Sequence, residues 1–224
     1  MKTAAVTVGI NPPGIYEDFY KFALWSGDFV KKYLNLEVRI IDNNHYHLGF
    51  KKDHWLNSIT AATVKLFIFD IYPDLDRIVY FDADWRPVRP FDIFEYCPDP
   101  EKMYFVRDRS YAREVKELEL EYNMKSGTYF NSGFFVVSRN SKKYFDEACN
   151  NFYNYKEKYY DQCVLNHVLK DKITYADKRL NVQDIKENTK FETDALVPNS
   201  EVLAYHSGYN FNIMNGYKPD FNWN

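Results

Sequence analysis

The sequence predicts a parallel-sheet α/β domain with nucleotide-binding geometry, on three observations. Short apolar and β-branched runs alternate with stretches whose apolar side chains recur at helical spacing. The run Ile78-Val79-Tyr80-Phe81 has no polar interruption, as expected of a strand buried on both faces. Two carboxylates, Asp82 and Asp84, follow it directly, at the strand's carboxyl end, where open α/β sheets collect their ligands.

In chain order, Ala4 to Ile10 is the first strand, ending at Gly9 and the Asn11-Pro12-Pro13-Gly14 turn. Phe19, Phe22, Ala23, Leu24, Val30 and Leu34 define a helix over about Tyr16 to Leu34. Leu36 to Ile41 is a second strand, closed by Asp42-Asn43-Asn44, and a helix over about Leu56 to Ile71 precedes the Ile78–Phe81 strand. Met103 to Val106 reads as a strand, and the charged segment Arg109 to Ser126 as a partly helical, mobile flap. Thr128 to Ser138 is strand-like around Asn131-Ser132-Gly133. Lys142 to Tyr155 and Tyr160 to Leu169 are helices, Lys172 to Tyr175 is a strand, and Val202 to Tyr205 is a last strand ending at His206. No repeat, low-complexity linker or composition shift divides the chain, so residues 1–224 are expected to form a single domain.

Composition narrows the function. Net charge is −3, which excludes a global basic field for nucleic acid or anionic membrane. An anionic substrate would need a local cation, either a metal or a placed Lys or Arg. Aromatic residues make up 19% of the chain, enough to supply stacking surfaces for a base or sugar beyond the needs of the core. Cys97, Cys149 and Cys163 show no metal-binding or disulfide spacing, so a reducing, cytoplasmic compartment is expected (the host cytoplasm, if the AT-rich-looking composition reflects a viral source). The apolar run before Ile10 is too short for a signal peptide, and no segment reaches the roughly 18 apolar residues of a membrane span.

Asp82 and Asp84 stand at i and i+2, where an extended backbone would project both side chains to one side. Paired carboxylates there suit a hard divalent cation, which takes oxygen ligands and leaves positions for substrate phosphates. Asp74-Leu75-Asp76 has the same spacing but precedes the strand, at the wrong edge, and reads as a solvated turn after Pro73. His45 and His47 would share one face of an extended segment, but without a third ligand nearby they read as surface polar residues. His54 and His167 read as ordinary helix positions.

Five pieces occur in an order that resembles the glycogenin-like and lipopolysaccharide-galactosyltransferase-like group of retaining GT-A-fold glycosyltransferases. They are Lys65-Leu66, the block from Asp76 to Asp84, Tyr129-Phe130-Asn131-Ser132-Gly133, Asp161-Gln162 with Leu165-Asn166, and the late His206. The resemblance spans about Ala4 to Lys218. It implies a Rossmann-like nucleotide-diphospho-sugar transferase fold with a mostly parallel, mixed central sheet flanked by helices. The nucleotide-binding half would cover about residues 1–86 and the sugar and acceptor half about 87–224. It further implies a UDP-sugar donor, a glycan, protein or small-molecule acceptor, and a divalent metal. Asp82, Asp84 and His206 would be the metal ligands, and mixed carboxylate and imidazole ligation favours Mn²⁺, with Mg²⁺ as the alternative.

By the same resemblance, Val6, Thr7, Val8 and Gly9 would meet the base and ribose, and Lys65 the donor; read alone, Lys65 is a solvated helix lysine. Ala83 would lie with the donor between the two carboxylates, Asp108 would hydrogen-bond the donor sugar, and Asn131, Ser132 and Gly133 would line the sugar pocket. Asp161 and Gln162 would sit beneath the anomeric carbon; read alone, they cap a helix N-terminus. The C-terminus departs from the family. Gly208 and Lys218 would contact the donor, but Gly208 follows His206 by two residues where the family has three, and Lys218-Pro219 is displaced by the Tyr209–Tyr217 segment, with Trp223 beyond.

Other classes fit less well. A haloacid-dehalogenase-like phosphatase opens with its D-x-D and follows it with Gly and Thr, whereas here Trp85-Arg86-Pro87 follows. A sugar-nucleotide pyrophosphorylase needs a Gly-rich phosphate loop after the first strand, which Asn11-Pro12-Pro13-Gly14 does not supply. An inactive carbohydrate-binding module would not need Asp82, Asp84, Asn131, Asp161 and His206 together.

Overall fold

The computed structural model describes residues 1–14, 18–51, 57–108, 113–155, 159–183 and 200–206. The elements run β1 (Thr3–Val8), α1 (Phe19–Leu34), β2 (Val38–Ile41), α2 (Asn57–Thr63), α3 (Ile68–Ile71), β3 (Arg77–Phe81), β4 (Trp85–Pro87) and α4 (Ile93–Tyr96). There follow β5 (Met103–Arg107), α5 (Arg113–Glu121), β6 (Phe130–Ser138), α6 (Lys142–Tyr155), α7 (Asp161–Leu169), β7 (Ile173–Tyr175), β8 (Val182–Gln183) and β9 (Ala204–His206).

Six strands form the main sheet in the order β2-β1-β3-β6-β5-β7. β1 is parallel to β2 and β3, and β5 is parallel to β7, while β6 runs antiparallel to both β3 and β5. The sheet is mixed and mostly parallel, as expected. Reversal of β6 alone has a geometric result. Its first residues lie beside the last residues of β3 and β5, so Asn131, Ser132 and Gly133 share one edge with Asp82 and Asp108. A second sheet, ordered β4-β9-β8, stands next to this edge.

Alternation along the strands feeds two apolar layers. Ala4, Val6, Ile78, Tyr80, Phe105 and Phe135 face α6, α7 and the segment around Val64 to Phe69. Ala5, Val79, Phe81, Phe134 and Val136 face Val30 and Leu34 of α1 together with Trp85, Ile93 and Leu180. Every residue of β3 is buried, which explains its unbroken apolar pattern. Phe135 stacks on Tyr80 at 4.6 Å and on Phe105 at 5.0 Å between ring centroids, tying three strands of one face together.

Two boundaries differ from the sequence reading for local chemical reasons. The helix expected over Leu56 to Ile71 is instead α2, a 3₁₀ turn over Val64–Phe67, and α3. The Thr63 hydroxyl donates to the Thr60 carbonyl at 2.8 Å and accepts from the Phe50 N–H at 2.9 Å, and such side-chain bonds compete with regular helix. Lys65 falls in the tighter turn and is buried. α1 begins at Phe19 because Asp18 caps it, accepting from the Lys21 N–H at 3.0 Å. Of the charged segment Arg109 to Ser126, Arg113–Glu121 is helix, and residues 109–112 lie outside the described set.

Burial pushes the thiols of Cys97 and Cys149 up to about 12, with Arg77 opposing the shift at Cys97 and Asp146 and Asp70 adding to it at Cys149; burial also raises Cys163. In native protein at pH 8 the thiols should therefore react with a disulfide reagent at least about a hundredfold more slowly than a free cysteine, because the thiolate is the nucleophile. All three should react promptly in denaturant. A fast native equivalent, followed spectrophotometrically, would contradict the buried environment.

Candidate active site

β3 ends at Phe81, and the two carboxylates do not continue it as an extended strand. The Asp82 N–H donates to the Gly133 carbonyl at 2.7 Å, and the Asp82 carbonyl accepts from the Trp85 N–H at 2.8 Å. Asp82 to Trp85 thus form a tight turn, and this turn, rather than strand alternation, presents both side chains. The reason is topological, since β4 belongs to the second sheet and the chain must change direction here.

The same change of sheet brings in the histidine. β4 pairs antiparallel with β9, placing His206 directly opposite Trp85, one residue from Asp84. Its Nε2 lies 3.2 Å from Asp84 Oδ1 and 3.7 Å from Asp82 Oδ2. One ligand atom from each of Asp82, Asp84 and His206 lies within 4.8 Å of the others. Gly133 makes the approach of the ring sterically feasible. A Cβ there would stand 2.6 Å from Nε2 and 2.7 Å from Nδ1 of His206. The space that a side chain at 133 would need is taken by the His206 ring of this protein.

Asp82 divides its two oxygens. Oδ1 accepts from the Tyr80 hydroxyl at 2.6 Å and from Lys65 Nζ at 2.9 Å, and Oδ2 faces His206. Lys65 also pairs with Asp161 Oδ2 at 3.1 Å, and its side chain is only 3% exposed, so it is no solvated lysine. Burial alone would lower the Lys65 pKa, but the carboxylates of Asp161 and Asp82 outweigh it and hold the ammonium charged. Burial likewise works against ionised Asp82, yet Lys65, His206 and Tyr80 bring its pKa below the ordinary value. Asp161 goes the other way: burial, with Asp82 adding to it, raises its pKa against the pull of Lys65 and Ser132. At His206 the burial effect is downward, but Asp84 and Asp82 prevail and raise it.

Asp161 and Gln162 open α7 without capping it. Tyr160 occupies the cap position, with no side-chain capping bond. Asp161 instead accepts from Ser132 Oγ at 2.8 Å. Gln162 Nε2 donates to Asp108 Oδ2 at 2.6 Å, which orients its Oε1 toward Asn131 Nδ2 (3.1 Å) and the Ser132 N–H (3.0 Å). Asn131 Oδ1 in turn accepts from the Gly133 N–H and from Asn181 Nδ2, at 2.8 and 3.1 Å. Asn166, one turn further along α7, bonds both the N–H and the carbonyl of Phe130 and so docks the helix on β6. Ser132 and Gly133 are available to the site because the β5–β6 register shifts between Phe105 and Val106, lifting them out of the ladder.

A cavity of about 240 Å³ opens beside Asp82 and Asp84, walled by Val8, Ile10, Phe19 and Ala61 and floored by Tyr80 and Ala83. Of the first-strand residues predicted to meet a ligand, Val8 lines this cavity, whereas Val6 and Thr7 are fully buried in the sheet. At Gly9 an added Cβ would stand 2.8 Å from Ala23 and 2.9 Å from Ile40, so this glycine serves the packing of α1. Gly208 and Lys218, the Tyr209–Tyr217 segment and Trp223 lie outside the described residues, as does His54. His45 and His47 lie in a 3₁₀ helix, not an extended segment, with Nδ1 bonded locally to Asp42 and Asn44. His167 stacks on Tyr155. Asp74 pairs at the opposite sheet edge with Lys2 and Arg39.

Sequence reasoning missed Tyr80 and Asn181. Tyr80 was absorbed into the apolar run, although it stands two residues before Asp82 and carries the run's one polar atom. Asn181 has no local pattern that marks it.

The chemistry of the donor set fits a divalent cation. Two carboxylate oxygens and an imidazole nitrogen converge, and they come from a turn and a strand anchored by other contacts. The mixed sheet, with this site at its edge, has the GT-A fold. The chain belongs to glycosyl transferase family 8, whose sequence pattern matches residues 28–203. Among solved structures it is similar to the galactosyltransferase LgtC in complex with donor and acceptor sugar analogs. That match has 20% identity and a TM-score of 0.67, covering 92% of this chain and 87% of that one. It is also similar to mouse xyloside xylosyltransferase 1 (11% identity, TM-score 0.59, covering 98% of this chain and 100% of that one). A third is a glycosyltransferase involved in glycosylation of the major capsid of PBCV-1 (10%, TM-score 0.56, 92% of each chain). At these identities the likeness carries the fold. No curated protein sequence matches the chain.

If Asp82, Asp84 and His206 hold a divalent cation, Gly133→Ala, which displaces the His206 ring, should weaken Mn²⁺ binding at least about tenfold, roughly 1.4 kcal/mol. Isothermal titration with Mn²⁺ measures this directly. Wild-type affinity in the variant would mean that His206 does not hold the ion.

Proposed function

We propose that this glycosyltransferase moves a sugar from a UDP-sugar to an acceptor hydroxyl, with retention of anomeric configuration and with Mn²⁺, or Mg²⁺ in its place. The observation that carries this reading is the convergence of Asp82, Asp84 and His206 beside a buried Lys65–Asp161 pair, in a member of family 8. LgtC was solved with both donor and acceptor sugar analogs, which supports a site of the same kind here.

Asp82, Asp84 and His206 would hold the cation, which supplies Lewis-acid stabilisation to the departing diphosphate. The apolar wall of Val8, Ile10 and Phe19 suits a nucleobase, which needs a flat, dry face. Lys65 would keep a fixed positive charge between the diphosphate end of the site and the sugar end. Asp108 would accept from a sugar hydroxyl, and Asn131, whose Oδ1 already holds two donors and whose amide serves Gln162, would shape that end. Asp161 would lie under the sugar, and its Oδ2 is held by Ser132 and Lys65. Gln162 has its carbonyl oxygen occupied by two donors, so it orients Asn131 and Ser132, and Asp161 is the better stabiliser of positive charge at the anomeric carbon. Asp82, Asp108 and Asp161 are each already engaged. No dedicated base stands out among them, so in a retaining reaction the leaving diphosphate would assist acceptor deprotonation. The transferred sugar and the acceptor would be set by the half beyond Asp84.

A panel of nucleotide sugars tested for hydrolysis with Mn²⁺ should show turnover with a UDP-sugar that stops on chelation. Asp84→Asn should cut that turnover by about a hundredfold or more. Turnover unaffected by chelator would remove the metal from the reaction, and binding of a donor without any turnover would favour an inactive sugar-nucleotide-binding module.

Asp161→Asn should leave donor affinity within about tenfold while lowering kcat by about a hundredfold or more, the pattern of a group acting mainly in the transition state. NMR of the product should show the donor's anomeric configuration kept. An inverted linkage, or normal turnover in Asp161→Asn, would take Asp161 out of the mechanism and turn attention to Asp108.

A further inference from the structure

Ser26 is completely buried in the middle of α1, on the face that carries Phe22, Ala23 and Val30 into the core. A serine is a poor choice there. It adds no apolar area, and in a helix its hydroxyl usually bonds back to a carbonyl one turn earlier. Here Oγ donates instead to the carbonyl oxygen of Ala83, at 2.5 Å, across 57 residues of sequence. Ala83 is the residue between the two carboxylates, and its methyl packs against Phe22 and Ala23 of the same helix.

The position of that carbonyl gives the contact its reach. The Asp82–Trp85 turn is tied at its ends by the Asp82 N–H on Gly133 and by the Trp85 N–H on Asp82. Both bonds fix Asp82. The peptide joining Ala83 to Asp84 is a rigid plane, and its tilt decides the direction in which the Asp84 side chain leaves the backbone. Among the described residues, the Ser26 hydroxyl is the group that donates to this carbonyl. Without that bond the plane is free to rotate within the turn and carry Asp84 Oδ1 away from His206 Nε2, now 3.2 Å distant.

We propose that Ser26 is a positioning residue of the metal centre, whose hydroxyl fixes the 83–84 peptide and thereby aims Asp84 at the point it shares with Asp82 and His206. The inference rests on the proposed role of those three residues as metal ligands. It links the first helix of the fold to the site through a neutral hydroxyl.

Mn²⁺ titration followed by electron paramagnetic resonance, in which the signal of free ion falls on binding, tests it together with thermal melting. Ser26→Ala should weaken Mn²⁺ binding about tenfold or more, in keeping with loss of a buried hydrogen bond that leaves its acceptor unpaired. Ser26→Thr, which keeps the hydroxyl, should bind Mn²⁺ more tightly than Ser26→Ala. If Ser26→Ala does not fold, Ser26→Cys carries the test, since it preserves shape but donates weakly and should fall between wild type and complete loss. Variants that melt lower yet bind Mn²⁺ with wild-type affinity would overturn the inference and leave Ser26 a packing residue. Wild-type protein that binds no Mn²⁺ would instead overturn the metal reading itself, and this inference with it.

Discussion

The ammonium of Lys65, held between Asp82 and Asp161, is the contact on which the site depends. Two carboxylates from distant parts of the chain, one after β3 and one at the start of α7, meet in a place largely shielded from water. Left to themselves they would repel each other and lose hydration, at a cost of several kcal/mol for each buried ion. A cation inserted between them removes the repulsion and uses the low local dielectric to advantage. Lys65 can serve because the chain tightens into a 3₁₀ turn there and sends the lysine under the sheet edge. It does not neutralise the site. Asp82, Asp84, Asp108 and Asp161 still outnumber it, so the pocket keeps a negative balance that a second cation can meet.

Around that pair, the architecture gathers chain ends. β1, β3 and β5 run in the same direction, and their carboxyl ends supply Val8, Asp82 and Asp108. β6, running the other way, contributes its beginning instead. The register shift takes Ser132 and Gly133 out of the pairing with β5, while the Gly133 carbonyl still accepts from Asp82 on the β3 side. α7 then docks through Asn166 on Phe130, so that its first residues arrive under the same edge. Each side chain is placed by an element whose own packing is complete, which is why the polar chain from Asn181 through Asn131 and Gln162 to Asp108 can be so fully directed.

The parts of this arrangement legible in the sequence are those governed by local pattern. Ile78 to Phe81 announced a strand buried on both faces because both faces demand apolar residues, and each of the four is fully buried. The acidic pair stood out by its place after that strand, whereas Asn131-Ser132-Gly133, Asp161-Gln162 and His206 were marked by the family resemblance alone; all of them meet at one edge. What could not be read depends on partners far away in sequence. The turn at Asp82 exists because β4 joins β9, a pairing that no local window contains. Tyr80 and Ser26 look like core positions, since a single hydroxyl among apolar neighbours shows its purpose only when its acceptor is known. The break at Val64 hinged on threonine bonds to Phe50 and Thr60, chemistry that a helical periodicity does not register.

The crossing from one sheet to the other takes place within the Asp82–Trp85 turn, and this has a mechanical consequence. Asp82 is anchored to the six-stranded sheet, while His206 belongs to the three-stranded one. An ion gripping both would therefore act as a rivet between two separately hydrogen-bonded bodies. By linkage, whatever tightens the ion, a diphosphate included, must also stiffen the joint, and whatever loosens the joint must release the ion. Filling the site and holding the two sheets together would then be a single equilibrium observed from two sides.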